Sequence, residues 1–234
     1  METQKNVVIS CSKDTFVKFW DLRTNHCFKT LTGHLAEVWD MELIRGEEML
    51  ITGGMDSELR VWSLKWSEEE DDVKTESSAK RKPVVPDSTE NDEADENTND
   101  NNDEEDGSNL TVTRVGSILR KGEGRVGSLR VDKSGRMIVC HGNDRVLEMF
   151  VICTQEEIEK RLAKRLKKEK KRAGEDEEVT GEATLPEMIR RVKEVRVGGK
   201  LRSAAVLVTS TTEVRCLVVL SNNLVEIVKC DLSR

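Results

Sequence analysis

Two segments of this 234-residue chain lie 42 residues apart and share one residue pattern. Residues 7–21 end on Trp20-Asp21, and residues 49–63 end on Trp62-Ser63, with an aspartate six residues before each tryptophan. Each segment is predicted to be a β-hairpin, because two short β-branched and aromatic runs flank a polar turn. A regular period of this length restricts the chain to architectures that repeat one small unit.

The residues between the two segments complete the repeat. His26–Leu31 is a third predicted strand, Gly33 and His34 follow it, and Val38–Ile44 is a fourth. Four-stranded blades of a β-propeller typically repeat every 40–45 residues and carry Gly-His and Trp-Asp pairs. The sequence therefore predicts an all-β fold made of WD40-type blades. The pair Trp39-Asp40 is not part of this signature, because it lies inside the fourth predicted strand.

The repeat resembles the WD repeat family, in which a histidine, a hydroxyl residue, an aspartate and a tryptophan are hydrogen-bonded within each blade. The resemblance puts Gly54 at the hydroxyl position of the second hairpin, so the network there is expected to be incomplete. Buried indole and imidazole groups need polar partners, so such a network stabilises a blade. The resemblance implies a structural, non-catalytic role for Ser12, Asp14, Trp20, His34, Asp56 and Trp62.

The pattern continues in a weaker form through the second half of the chain. Strand-like runs occur at 125–131, 136–140, 145–152, 201–208, 214–220 and 224–230. Asp144 stands at the aspartate position, Phe150 replaces the tryptophan and Gly122 replaces the histidine. In the last repeat Val228 occupies the tryptophan position. We expect these degenerate blades to depend on apolar packing, with less of the polar network.

Two low-complexity segments interrupt the strands. The predicted organisation is WD repeats at 1–66, an acidic insert at 67–109, a degenerate blade at 110–153, a charged helical insert at 154–188 and a degenerate, incomplete blade at 189–234. Outside the inserts there is sequence for about four blades. Propellers usually have four to eight blades, and the chain begins and ends within a repeat. We therefore expect a partial propeller from a larger protein, incomplete at both ends.

The acidic insert contains 17 aspartate and glutamate residues, four basic residues and no aromatic residue. A segment of this composition cannot bury enough apolar surface to offset its ordering entropy, and we predict that it is disordered. Its sequence Lys80-Arg81-Lys82-Pro83 resembles a short nuclear-import signal.

The second insert is predicted to begin with a helix, since Thr154 and Glu157 form a capping-box pattern. Its basic residues are Lys160, Arg161, Lys164, Arg165, Lys167, Lys168, Lys170, Lys171 and Arg172. Such a helix is suited to the phosphates of RNA, which it would bind without reading sequence. Contact with an acidic protein and simple solvation are the alternatives. Both inserts lie between the third and fourth strands of a blade, so we expect them to leave the same face.

Other classes of site have little support in the sequence. The six cysteines include no Cys-x-x-Cys pair, and most are predicted to be small buried residues, which indicates neither disulfides nor a metal site. No apolar run approaches the ~20 residues that span a membrane. The partial Gly-x-Gly pattern at 122–127 lies between strands and is interpreted as a turn. No catalytic residue, cofactor, metal, small-molecule substrate or membrane contact is expected.

The order of these parts is similar to that of the WD repeat-containing protein 3 family of small-subunit processome scaffolds. The resemblance rests on residues 10–21, 26–39, 51–66 and 154–172. It implies a non-enzymatic scaffold of the nucleus and nucleolus that acts in pre-rRNA processing. The implied partners are pre-ribosomal RNA and a small nucleolar RNP, reached indirectly or through the basic helix, and other WD-repeat processome proteins. Alternatively, Trp20-Asp21-Leu22-Arg23 resembles the motif by which some propellers serve as substrate receptors of cullin-based ubiquitin ligases.

Overall fold

The computed structural model describes residues 6–67, 109–122, 124–170, 181–208, 210 and 213–231, without the side chain of Lys170. These residues form four antiparallel sheets, which we number as blades 1 to 4. Blade 1 consists of β1 (Val7–Cys11), β2 (Val17–Asp21) and β3 (His26–Leu31), and blade 2 of β4 (Val38–Ile44), β5 (Met49–Gly54), β6 (Glu58–Trp66) and β7 (Leu110–Leu119). Blade 3 consists of β8 (Val126–Val131), β9 (Met137–Gly142), β10 (Val146–Ile152) and β11 (Ile189–Arg196), and blade 4 of β12 (Leu201–Val208), β13 (Glu213–Leu220) and β14 (Val225–Asp231). The prediction of WD40-type blades is confirmed.

Each blade pairs its strands in chain order, and the last strand of blades 2 and 3 returns only after an insert. β7 pairs with β6, and the Ser67 amide donates to the Asn109 carbonyl at 2.8 Å where the acidic insert leaves and returns. β11 likewise pairs with β10 across the helical insert. The sheets therefore divide the chain differently from the predicted segments: residues 110–119 belong to blade 2 and residues 189–196 to blade 3. This pairing agrees with the placement of each insert between the third and fourth strands of a blade and corrects only the predicted segment boundaries.

The hydrophobic core lies between successive blades. Phe19 of blade 1 packs with Leu50 of blade 2, and Val61 of blade 2 packs with Leu129 of blade 3. A third cluster joins blade 3 to blade 4. Blades 2 and 3 approach closely at Gly53 of β5, where a Cβ atom would lie 2.6 Å from Val126 Cγ1. Glycine is required there by space, and this contact places β5 of blade 2 against β8 of blade 3.

Two helices belong to the second insert, α1 (Gln155–Lys170) and the short α2 (Leu185–Met188). The buried Leu185 joins the cluster between blades 2 and 3, which attaches the insert to the propeller. Neither described helix is long and apolar enough to cross a membrane.

All six cysteines are free thiols. Burial raises the pKa of both Cys140 and Cys216 to about 12, so these thiols stay protonated and unreactive at neutral pH. Cys27, in contrast, is exposed.

Candidate functional site

A hydrogen-bonded network joins β5 and β6 of blade 2 to the loop before β4 and to the turn after β5. The Trp62 indole N–H and the His34 Nε2–H both donate to the Thr52 hydroxyl, at 3.0 Å and 2.8 Å. Arg60 donates to His34 Nδ1 at 2.7 Å and forms an ion pair with Asp56, also at 2.7 Å. Because a guanidinium only donates, His34 must accept at Nδ1 and carry its proton on Nε2. The network therefore requires a neutral histidine.

The surroundings of His34 favour this neutral form. Burial is the main cause that lowers its pKa from 6.5 to about 4, and the adjacent Arg60 charge lowers the pKa further. The side chain is 5% exposed. Protonation of His34 would put a second cation against Arg60 and remove the acceptor that Arg60 uses.

Stability is expected to depend on pH through this residue. Unfolded histidine binds a proton near pH 6.5 and His34 in the folded chain only near pH 4. The stabilisation is therefore complete above pH 6.5 and is lost as pH falls toward 4, by up to about 1.4 kcal/mol per pH unit. Urea unfolding at several pH values in this range should show the slope of the free energy of unfolding against pH. We expect His34→Asn to reduce the slope and His26→Gln, at an exposed position, to leave it unchanged; equal slopes in all three proteins would contradict the assignment.

The structure corrects both predicted hydroxyl positions. The partner of Trp20 is Ser10, whose hydroxyl accepts the indole N–H at 2.8 Å, whereas Ser12 lies in the turn and accepts from the Asp14 amide. The hydroxyl of blade 2 is supplied by Thr52, so the network predicted to be incomplete there has its hydroxyl. Each hydroxyl lies ten residues before its tryptophan, a spacing that the sequence could have shown.

Strand register explains these positions. Trp62 pairs with Leu50, so Thr52, two residues along β5, lies on the same side of the sheet and diagonally opposite. Asp14 also acts locally, since its carboxylate accepts from the Phe16 amide at 3.0 Å, which is the main cause that lowers its pKa. Asp14 is therefore a turn residue, whereas Asp56 bonds to Arg60.

Blade 3 has a different polar network in the corresponding place. Glu148 lies four residues after Asp144, as Arg60 lies four after Asp56. Its carboxylate is fully buried and forms ion pairs with Arg120 at 3.0 Å and Arg191 at 3.3 Å.

The loop before β8 completes this network. The amides of Lys121 and Gly122 donate to Glu148 at 3.0 Å and 3.4 Å, and the Arg120 guanidinium lies 3.9 Å from Asp144. A Cβ atom at Gly122 would lie 2.6 Å from Arg120 Nη2, so the missing side chain makes room for the arginine. Apolar packing replaces the tryptophan interaction, since Phe150 and Cys140 are both fully buried. The sequence analysis did not predict this buried ion pair, because Arg120, in the loop after β7, and Glu148, in β10, come together only in the folded chain.

The two inserts leave the same face of the propeller, as the spacing predicted. The Leu64 amide bonds to the Glu48 carbonyl, and the Ile152 amide bonds to the Arg136 carbonyl, so β6 and β10 both end beside the turn between the first two strands of their blade. The turns at 45–48 and 132–136 are close together, since residues from both line one open cleft of about 380 Å³. We call this side the insert face and the opposite side, with turns at 12–16 and 55–57, the turn face.

Helix α1 begins at the predicted capping box on the insert face. The Thr154 amide donates to Glu157 at 2.8 Å, which is the main cause that lowers the pKa of that carboxyl, and the Glu157 amide donates to the Thr154 hydroxyl at 3.3 Å. Arg45, in a turn of blade 2, donates to Gln155 at 3.3 Å. Ile158 is buried, so the start of the helix is held against the blades.

The basic residues of α1 divide into two groups. Arg161 and Arg165 are half-buried, and Arg165 is held by an ion pair with Glu187 at 3.0 Å and a hydrogen bond to the Glu182 carbonyl. Arg165 was predicted to contact a partner, but it instead joins the two parts of the insert. The exposed group, which we call the lysine stripe, consists of Lys160, Lys164, Lys167 and Lys168. Lys171, Arg172, Lys80, Arg81 and Lys82 lie outside the described residues.

Two further observations concern function. Among the described residues, no group of histidine, cysteine, aspartate and glutamate side chains could hold a metal ion.

In the Trp20–Arg23 motif, Asp21 accepts from the Arg23 amide at 2.8 Å and from the Thr24 hydroxyl at 3.0 Å, as a turn-forming residue does. The side chain of Arg23 is 86% exposed.

Comparison with known proteins agrees with this fold. The model of the WD domain, G-beta repeat family matches residues 25–63. WD repeat-containing protein 3 of Homo sapiens is 39% identical over 126 residues, and that of Mus musculus is 38% identical over 125 residues; each match covers 50% of this chain. Nuclear distribution protein PAC1 of Arthroderma otae is 37% identical over 68 residues, 29% of this chain and 15% of PAC1. The chain spans 13% of the length of the two WD repeat-containing protein 3 sequences. The similarity to that protein, predicted from the order of the parts, is confirmed over half of the chain.

Proposed function

We propose that this chain is a non-enzymatic scaffold in nucleolar ribosome biogenesis, where it assembles the small-subunit processome for small-subunit pre-rRNA processing. The proposal is supported by the similarity to WD repeat-containing protein 3. It is also supported by the use of His34, Asp56, Trp62 and Glu148 in networks that stabilise the blades. These side chains contribute to the stability of the blades.

The observation that carries the proposal is the lysine stripe. Its four side chains are exposed, and none forms an ion pair or hydrogen bond within the part of the chain that the structure describes. The positions 160, 164, 167 and 168 share one side of a helix, because residues three and four apart lie over each other. Over eight residues the stripe extends roughly 12 Å along the helix axis. A row of free ammonium groups of this length fits successive phosphates of an RNA strand, without sequence readout.

Neutralising the stripe is expected to weaken RNA binding. We predict that the quadruple variant Lys160→Gln, Lys164→Gln, Lys167→Gln and Lys168→Gln binds a single-stranded RNA oligonucleotide at least about tenfold less tightly. The slope of log K against log salt should fall by about 0.7 for each phosphate that the variant no longer neutralises. Fluorescence anisotropy at several salt concentrations measures both quantities.

A matched control removes the same charge elsewhere. The control carries glutamine at Lys65, Lys133, Lys200 and Arg202, all of them exposed and outside the helix. If the stripe binds the RNA, this control retains most of the affinity. Equal reductions of affinity in the two variants would mean that only net charge matters, and would remove the stripe from the proposal.

The scaffold function is tested by purification from cells. An epitope-tagged chain should recover pre-ribosomal RNA, small nucleolar RNA and other WD-repeat processome proteins, and the lysine-stripe variant should recover less RNA. If the lysine-stripe variant recovers the processome proteins and as much RNA as the wild type, the contact with RNA is indirect. If ribosomal precursors are absent from the wild-type purification, the proposed function is wrong.

Localisation gives an independent prediction. We expect a fluorescently tagged chain to accumulate in the nucleolus, and the variant Lys80→Ala, Arg81→Ala and Lys82→Ala to shift toward the cytoplasm, because importin-type recognition needs the basic cluster. Ala replacement of Lys29, Lys65 and Lys133 is the control. Nucleolar accumulation of both variants would show that these three residues are not the import signal.

The second candidate function is a substrate receptor of a cullin-based ubiquitin ligase. The observation in its favour is the exposure of Arg23, which leaves the guanidinium accessible to a ligase adaptor. Co-purification of the adaptor with the wild-type chain and its absence with Arg23→Ala would support this function. Unchanged adaptor recovery, or none from either protein, would exclude it.

A further inference from the structure

A cluster of cationic and aromatic groups lies on the turn face, opposite the inserts. Trp39 follows the first residue of β4, at a register shift between Val38 and Asp40. The Lys13 ammonium lies over the Trp39 ring at 4.6 Å from its centroid, and the Arg125 guanidinium carbon lies at 3.8 Å. These three side chains come from blade 1, blade 2 and the start of blade 3. We call them the Trp39 cluster.

The tertiary structure holds the three groups together. The Val38 amide donates to the Ser12 carbonyl at 3.1 Å, which fixes the turn that carries Lys13 against the inner strand of blade 2. Arg125 Nε donates to the Asn143 side-chain oxygen at 3.1 Å, which fixes the guanidinium in place. Their distances from the ring centroid put the two cations at most about 8.4 Å apart, and they repel each other.

Within the part of the chain that the structure describes, the cluster has donors and positive charge but no paired anion. Within the described residues, neither Lys13 nor Arg125 forms an ion pair, and the buried indole N–H of Trp39 has no acceptor. Of the neighbouring carboxylates, Asp14 caps its own turn and Asp40 pairs with Arg130 at 3.0 Å, whereas Glu37, in the loop before β4, forms no ion pair with a described residue. An oxyanion would relieve the repulsion between the cations and give both of them a charged partner.

Exposed apolar side chains lie on the same face. Leu35 is 92% exposed in the loop before β4, and Met55 is 52% exposed in the turn after β5. The Met55 amide donates to the Glu37 carbonyl at 2.8 Å, so the turn and the loop are adjacent. Cations occupy the Trp39 ring, which leaves it unsuited to stacking on a nucleic acid base. The combination of two cations with aliphatic anchors fits a protein segment better than a nucleic acid.

We propose that the Trp39 cluster, with Leu35 and Met55, is a docking site for an acidic linear peptide of a partner protein. Carboxylates of the peptide pair with Lys13 and Arg125, and an aliphatic residue nearby packs on Leu35 and Met55. This site is on the opposite face from the lysine stripe, so the chain joins an acidic protein segment on one side to RNA on the other. The binding of the peptide does not depend on the proposed RNA contact.

The test uses the whole 234-residue chain and a short fluorescein-labelled peptide of repeated Asp-Glu-Leu units. Fluorescence anisotropy should show binding, and the double variant Lys13→Gln and Arg125→Gln should bind about tenfold less tightly or worse, because it lacks both charge-assisted hydrogen-bond donors. Lys133→Gln, on the insert face, is the control and should bind as the wild type does. A peptide of Asn-Gln-Leu units should not bind.

The outcomes separate the proposal from its alternatives. Melting curves check the fold of each variant, and if the double variant melts early, Lys13→Gln alone is used, because Lys13 is exposed in a turn. Loss of binding in that single variant supports the docking site. Undetectable binding of the acidic peptide to the wild-type chain, or equal binding to all variants, overturns the proposal. The proposal is also overturned if the double variant binds the peptide as the wild type does but no longer binds single-stranded RNA. That result would make the turn face an RNA surface.

Discussion

Replacing Thr52 with valine is expected to lower the free energy of unfolding by about 2–4 kcal/mol. Valine keeps the shape of the side chain and removes one oxygen, which accepts from both Trp62 Nε1 and His34 Nε2. Because Thr52 is fully buried, water cannot replace the missing acceptor, and two buried donors are left without a partner. A change of this size is a large part of the 5–15 kcal/mol that holds a typical domain folded.

Urea unfolding followed by circular dichroism measures this change, with equal m-values required for the comparison. Two other hydroxyls provide controls. Ser10→Ala removes the partly buried acceptor of Trp20 and should cost about 1 kcal/mol. Ser12→Ala, at an exposed turn position, should change the free energy by no more than about 0.5 kcal/mol. If Thr52→Val were as mild as Ser12→Ala, the network of blade 2 would not be a source of stability.

Replacing Arg120 with methionine is expected to cost about 3 kcal/mol or more, because it leaves the carboxylate of Glu148 buried without its 3.0 Å partner. Arg191 still pairs with the Glu148 carboxylate at 3.3 Å. The loss of stability should therefore lie near the lower end of the range measured when one partner of a buried ion pair is removed. Methionine fills much of the arginine volume, so the effect reports charge more than packing. The measurement is again urea unfolding at neutral pH.

A double variant separates an unpaired charge from a missing interaction. When Glu148 is also replaced with methionine, no buried charge of this pair remains, and part of the stability should return. The coupling between the two substitutions then has the sign expected for a direct ion pair. Additive effects in the double variant would show that Arg120 stabilises blade 3 by some route other than Glu148.

Much of the architecture could be predicted from local sequence. The 42-residue spacing of Trp20 and Trp62, with an aspartate six residues before each, identified the hairpins of blades 1 and 2. The capping pair Thr154 and Glu157 identified the start of α1. The position of each insert after a third strand also predicted that both leave one face. These features depend on periodicity and on contacts between residues close in the chain, which a sequence displays directly.

The polar partners in the blades were not predicted in this way. The hydroxyl residues Ser10 and Thr52 were misplaced by two residues, because residues two apart lie on the same side of a strand and only the register with the neighbouring strand shows which of them faces the tryptophan. Arg60 was not expected to join His34, from which it is 26 residues distant. The position of Arg165 on α1 suggested an RNA contact, but a carboxylate 22 residues later holds it.

The type of repeat, the order of the hairpins and the charge of each insert can be read along the chain, because they follow from local periodicity and composition. Which charged groups are neutralised and which remain free depends instead on how the strands pair and the blades pack. Arg120, which is paired with buried Glu148, and Arg125, which lies over Trp39, are the same type of residue only five positions apart. They differ because strand pairing and blade packing bring a carboxylate to Arg120 and none to Lys13 or Arg125 among the described residues.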